Sequence, residues 1–175
     1  RVNFNLQEAL ELLERTPRTL ESMLTGLSDS WLGCREGEGT WSASEVVDHL
    51  IEAEKRNWIP RMEWLLAHGE EQPFPPFDRF AHLRQPSGRS LEQRLAEFRE
   101  LRDGHVARLR AFIDPERHLG LKGMHPEFGS VTLGQLLSAW VVHDLTHLSQ
   151  IIRVMAKRYR DDVGPWVAYL KILKQ

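Results

Sequence analysis

His143 and His147 lie four residues apart in the stretch VTLGQLLSAWVVHDLTHLSQIIRVM, residues 131–155. On a helix that spacing puts both imidazoles on one face, a turn apart, where they can share one metal ion. Spacing alone also admits two core histidines, each hydrogen-bonded to a neighbour. Both continue the 3/4-spaced stripe Leu133, Leu136, Trp140, His143, His147, Gln150 and Val154, which faces a bundle interior. An unpaired polar group there costs about 1–3 kcal/mol, and a shared metal would satisfy two at once. A third imidazole, His49, falls on the interior stripe Val46, His49, Ala53 of an earlier helix. Three neutral imidazoles suit zinc, nickel, iron or copper, and three protein ligands leave coordination positions for water or substrate. An open site of this kind reads as catalytic rather than structural.

The helices that must position these histidines announce their own starts. A capping residue is followed three positions later by Glu or Gln at Asn5/Glu8, Ser42/Glu45, Ser90/Gln93 and Thr132/Gln135, the signature of a capping box. Trp41 with Val46 and Val131 with Leu136 add hydrophobic staples to the second and fourth. The first helix is expected from Leu6 to Leu27, kinked at Pro17 or split there with Thr16 capping the second piece. The second is expected from Ser42 to about His68, bent at Pro60 and stopped by Gly69. The third covers Ser90 to Ile113, with Leu91, Leu95, Phe98, Leu101, Leu109 and Phe112 on one side. The fourth runs to about Arg158, and a short C-terminal helix starts at Gly164-Pro165. No strand is expected, so the fold class is all-α, a single domain over 1–175.

The connectors are long. Residues 70–88 hold Pro73, Pro75, Pro76 and Pro86 with Phe74, Phe77 and Phe80, which suits an extended strap on the bundle. Residues 114–130 form a second long link with Gly120, Gly123, Pro126 and Gly129. Antiparallel neighbours usually need about 2–8 connecting residues, so at least one crossover connection is expected. The formal charge of −2, from 23 basic and 25 acidic residues, gives no field that attracts nucleic acid or an anionic membrane. No apolar run reaches a membrane span and no signal-peptide stretch opens the chain, so a soluble, cytoplasmic protein is expected. Cys34 is the only cysteine, in keeping with a reducing compartment.

WSASEVVDHL at 41–50, HPEFGSVTLGQLL at 125–137 and HDLTHLSQI at 143–151, with LLERTPRTL near the start, resemble the DinB/YfiT-like family of metalloenzymes across essentially the whole chain. The resemblance implies a four-helix bundle of up-down-down-up topology, often a homodimer. It also implies a divalent metal, zinc or nickel first, held by one histidine of the second helix and two of the fourth, which match His49, His143 and His147. In some branches the implied activity is transfer or isomerisation dependent on a low-molecular-weight thiol such as bacillithiol or mycothiol. The first expectation is therefore a metal-dependent thiol S-transferase acting on a small electrophile. Metal-dependent hydrolysis, with Glu45, Asp144 or His125 carrying the proton, is the alternative, and a non-catalytic metal- or ligand-binding stress-response protein is a third.

Other residues near the cluster carry weaker expectations. Glu45, one turn before His49, could orient it but is already explained by its capping box. Asp144 sits where a metalloprotease motif has its general base, yet is rotated about 100° from His143, so a supporting or surface role is expected. Gln150 is a candidate to line the pocket, and Trp140 to form its wall. His105 is read as a hydrogen-bonded core or surface histidine, and His125 as a loop residue that closes over the site or occupies a turn. His68, His82 and His118 have no pattern separating them from surface residues.

Overall fold

Each predicted cap forms. In a computed structural model, which describes residues 3–85 and 87–174, the Asn5 side chain accepts the Glu8 N–H and reciprocal capping boxes join Ser42 with Glu45, Ser90 with Gln93 and Thr132 with Gln135. The elements in order are α1 (Leu6–Leu24), α2 (Asp29–Leu32), α3 (Ala43–Arg56), α4 (Trp58–His68), α5 (Ala81–Arg84), α6 (Leu91–Phe112), α7 (Pro115–His118), β1 (Lys122–His125), β2 (Gly129–Thr132) and α8 (Leu133–Lys157). Two short 3₁₀ helices, Gly164–Ala168 and Lys171–Lys174, follow, and the first begins at Gly164-Pro165 as expected of the C-terminal helix. Helices α1, α3, α6 and α8 make the bundle.

Side-chain pairs set the directions. Ser44 and Asp48 meet Arg94 while Glu54 meets Arg102, so α3 and α6 run parallel. Glu21 meets Arg99 and Glu14 meets Arg110, so α1 opposes α6. His49 meets His143 and Glu54 meets Trp140, so α8 opposes α3. The result is the up-down-down-up bundle, with the strap and the second link serving as its long crossovers.

Three local expectations are corrected. Pro17 does not split α1 into two helices, and the helix is continuous from Leu6 to Leu24. The carbonyl of Leu13, which loses its donor to proline four residues on, accepts instead from Arg102 Nη1 at 2.9 Å. The second predicted helix does break, but at Asn57 (φ −113°, ψ −67°) between α3 and α4, three residues ahead of Pro60, because the proline ring and its missing N–H act on the preceding turn. The second link contains an antiparallel hairpin where no strand was expected, pairing Lys122 with Thr132 through His125 with Gly129. Its strands are too short and too glycine-rich to show period-two patterning. Gly123 is required there, since a Cβ would stand 2.9 Å from both Leu65 Cγ and Phe74 Cε1. The strap is anchored to this hairpin by Phe74 N–H donating to the Met124 carbonyl at 2.8 Å. Strap residue Pro86 lies outside the described residues.

The interior has two apolar ends with a polar layer between them. Leu6, Leu10, Trp58, Met62, Leu109 and Trp140 belong to one end, and Leu20, Leu24, Val47, Leu91, Phe98 and Ile151 to the other. Phe112, expected inside, is 67% exposed at the end of α6, whereas Arg102 is fully buried on that helix. Arg102 gives Nε and Nη2 to Glu54 Oε1 and forks onto both oxygens of Asp144. Trp140 Nε1 donates to the same Glu54 oxygen at 3.0 Å, and His105 Nδ1 lies 2.7 Å from the other. With the Leu13 carbonyl included, this network ties all four helices together. Burial opposes charge on Arg102, but the two carboxylates outweigh it and hold its pKa above the ordinary value.

Candidate metal centre

The three expected histidines converge. His49 Nε2 is 3.1 Å and His147 Nε2 3.2 Å from His143 Nε2, and one ligating nitrogen from each lies within 4.8 Å of the others. Two of the rings are fixed by bonds at their far nitrogens: His49 Nδ1 is 3.2 Å from the Arg79 carbonyl and His147 Nδ1 is 2.7 Å from Gln150 Oε1. Both partners are acceptors, so the proton belongs on Nδ1 and the Nε2 lone pair points at the cluster. His143 is held differently. Its Nδ1 is buried without a partner, and the ring is clamped by Trp58, with centroids 5.1 Å apart, and by His147 at 4.3 Å.

Electrostatics keep the cluster neutral. Burial, then the charges of His147 and His82, pulls His49 down to about 3, and burial with His147, His49 and Arg102 pulls His143 down to about 2. Burial also lowers His147, against the hydrogen bond to Gln150. Unprotonated nitrogens are what a cation requires. Tetrahedral zinc with bonds of 2.0–2.1 Å would set its nitrogens roughly 3.3 Å apart, close to the separations about His143. The donor set therefore fits one divalent ion of the borderline first-row kind.

A cavity of about 540 Å³ opens over His49, His143 and His147 and is walled by Trp41, Phe77, Arg61, Asn57 and the turn 125–128. Trp41, read from sequence as a staple, also packs near-parallel to His147, with centroids 6.2 Å apart.

The other candidates separate into supports and bystanders. Gln150 holds His147 rather than lining the cavity. Trp140 lies one layer deeper, stacked on Trp58 at 5.7 Å, because its indole N–H is drawn to Glu54; Trp58 is the tryptophan beside His143. Asp144 is buried and points at Arg102, away from the cluster. Both Glu45 oxygens are engaged, one by Arg35 Nη2 and the other by Arg35 Nη1 and the Ser42 N–H, so neither orients His49. His105 is hydrogen-bonded to Glu54, as expected. His125 does both things expected of it: its Nδ1 accepts the N–H groups of Glu127 and Phe128 in the hairpin turn, and its ring lines the cavity.

Other contributors come from positions that helical spacing does not flag. His82 is only 6% exposed and lies 4.5 Å from Trp41 and 5.4 Å from His49, centroid to centroid. It comes from the strap, where no periodicity exists to show burial. Arg102 and Asn57 are polar residues at interior positions. Arg61 is half-buried on α4 and lines the cavity. Asn57 and Arg61 are four apart, the one signal that could have paired them.

The family model of the DinB superfamily matches residues 12–151. YfiT of Bacillus subtilis, named "Putative metal-dependent hydrolase", is 27% identical over 146 residues, covering 81% of this chain and 79% of YfiT. OB0782 of Oceanobacillus iheyensis, with the same printed description, is 25% identical over 159 residues, covering 89% of each chain. Among solved structures, that of Bacillus subtilis YfiT, described as having an unusual four-helix bundle topology, superposes with a TM-score of 0.74 at 23% identity, covering 87% of both chains. The four-helix bundle protein TT2238 superposes with a TM-score of 0.52 at 23% identity over 82% of this chain and 95% of that one. Among the described residues, no helix is long and apolar enough to cross a membrane.

Proposed function

The chain belongs to the DinB superfamily, and from that premise we propose that it is a metal-dependent enzyme, with His49, His143 and His147 as the ligands, that transfers a low-molecular-weight thiol to a small electrophile. The observation that carries this reading is the convergence of three neutral imidazoles with no carboxylate among them. Neutral ligands leave the charge of a divalent ion uncompensated, and such an ion, zinc or nickel, supplies Lewis acidity that lowers the pKa of a small nucleophile. A thiol is well matched to this site because its ordinary pKa, about 8.5, needs little lowering and no strong side-chain base. In the transfer the S–H proton leaves to solvent, the S–C bond forms and the leaving group departs with its electron pair. Arg79 and Gln150 hold the imidazole tautomers through this step, and Trp41 and Phe77 shield the cluster.

Hydrolysis is the second reading. It is favoured by the printed names of the relatives and by His125 on the cavity wall. Of the three proton carriers considered for it, Glu45 and Asp144 are committed to ion pairs, which leaves His125. The homodimer implied by the resemblance would find apolar surface on the outer stripe of α8, where Val142, Leu145 and Ile152 are exposed.

The test offers metal-loaded protein an alkyl halide or epoxide with bacillithiol, mycothiol or no thiol. Conjugate formation that requires a thiol, and that is lost in His147→Ala with the helical circular dichroism kept, supports transfer. Turnover without thiol would move the assignment to hydrolysis, and no turnover with any thiol would remove the transferase reading.

A further inference from the structure

The cavity over the histidines has a neighbour. A second cavity, also about 540 Å³, is walled largely by apolar groups including Trp58, Phe74, Val131 and Leu136. Asn57, Arg61, His125 and Phe128 line both cavities. The four residues form the junction between a polar chamber and an apolar one.

Arg61 is anomalous at that junction. Among the described residues, the other partly or fully buried arginines are neutralised: Arg94 by Asp48, Arg102 by Glu54 and Asp144, Arg153 by Glu36. Arg61 has no carboxylate within ion-pair distance among the described residues. Its guanidinium lies 5.4 Å from the Phe74 ring centre, its Nη1 is 3.2 Å from His125 Nε2, and its Nε is buried without a partner. Glu127 on the hairpin turn acts on it only from a distance, and burial lowers its pKa below the ordinary arginine value. Beside it, Asn57 is 6% exposed and its Oδ1 is buried with no donor. Leaving such groups unpaired is costly, and it is tolerated where a ligand supplies the partners.

We propose that Arg61 forms a carboxylate subsite with the Asn57 amide oxygen beside it as an acceptor, and that the molecule bound beside the three histidines is a small amphipathic acid whose carboxylate meets Arg61 and whose apolar arm fills the second cavity. A guanidinium offers paired N–H donors matched to the two oxygens of a carboxylate. The Asn57 amide takes an N–H or O–H carried close to that carboxylate. A single unpaired arginine matches one negative charge, which favours a carboxylate over a phosphate dianion. The cavity volume lies within the range of sites for ordinary small molecules. As a statement about substrate, this rests on the metal-dependent reading above; as a statement about binding, it stands apart from it.

Calorimetric titration with acetate, hexanoate, hexanamide and inorganic phosphate tests it without turnover. Hexanoate is expected to bind at least tenfold tighter than either acetate, which lacks the arm, or hexanamide, which lacks the charge. Arg61→Met is expected to lose about tenfold or more for hexanoate and nothing for hexanamide, while Arg61→Lys recovers part of the loss. Ala139→Phe, at an exposed position lining the apolar cavity, is expected to weaken hexanoate and leave acetate unchanged. The same titration of His143→Ala separates the two claims, since hexanoate binding should survive there even if catalysis and metal do not. Equal binding of hexanoate and hexanamide, tighter binding of phosphate, or unchanged hexanoate affinity in Arg61→Met would overturn the subsite.

Discussion

Arg102 forks onto Asp144, with Nη1 2.6 Å from Oδ2 and Nη2 3.0 Å from Oδ1, and Asp144 directly follows His143. The turn of α8 that presents His143 is therefore fixed from behind by a buried ion pair. Both side chains are almost wholly excluded from solvent, so removing one partner strands the other. Arg102→Met should destabilise the fold by about 3–5 kcal/mol. Arg102→Lys should recover little of this, because an ammonium cannot serve Glu54, Asp144 and the Leu13 carbonyl together. Urea unfolding followed by circular dichroism measures both.

The depressed imidazoles predict how the metal-free protein responds to acid. His49 and His143 are held at about 3 and about 2 in the folded chain, against about 6.5 when unfolded. Above pH 6.5 both states carry neutral rings and no penalty arises. As pH falls below 6.5, the unfolded chain takes up protons that the folded chain refuses, so stability is lost progressively toward pH 3. The expected slope is about 1.4 kcal/mol per pH unit for each ring. Denaturation midpoints of chelator-treated protein from pH 7.5 to 4.5 should fall, and the fall should be shallower in His49→Ala. A flat profile would mean that the rings are not buried neutral.

Gln150 acts on the cluster through His147. Gln150→Leu removes the acceptor that holds the Nδ1 proton and should weaken metal binding by about 10–100-fold, the usual range for such supporting partners. Gln150→Glu keeps an acceptor and should retain most of the affinity. Competition against a chromophoric chelator reads both, with unfolding curves showing that the fold is unchanged.

Gly123 brings β1 against α4 and the strap. Gly123→Ala places a methyl 2.9 Å from Leu65 Cγ and Phe74 Cε1, which should cost about 1–3 kcal/mol of stability. The strain falls on the hairpin whose turn carries His125, so hexanoate binding should weaken as well. Thermal unfolding and the same calorimetric titration check the two effects.

What the sequence could reveal follows from how each residue is addressed. His49, His143 and His147 lie on helices with capping boxes and periodic apolar stripes, so the spacing itself gives their inward direction. Gln150 was placed near the site by the same stripe, although its role is to hold a ring rather than to line a wall. Asp144, 100° away on α8, reads as a flank residue until Arg102 is seen to be buried, and a lone arginine on a charged helix gives no periodic sign of that. The hairpin was hidden by four-residue strands containing glycine. His82 and the junction of Asn57 with Arg61 depend on how the strap and the α3–α4 break fold over the bundle. Those are long-range contacts that helical spacing does not encode.

Metal content shows whether the three imidazoles of His49, His143 and His147 hold one divalent ion. Protein purified without a histidine tag should carry about one equivalent of a divalent first-row ion per chain by elemental analysis, and His143→Ala should lose it while keeping its helical circular dichroism. Wild-type protein that takes up no such ion when supplied with zinc or nickel, or a variant that binds as much as wild type, would rule out a shared three-histidine ion.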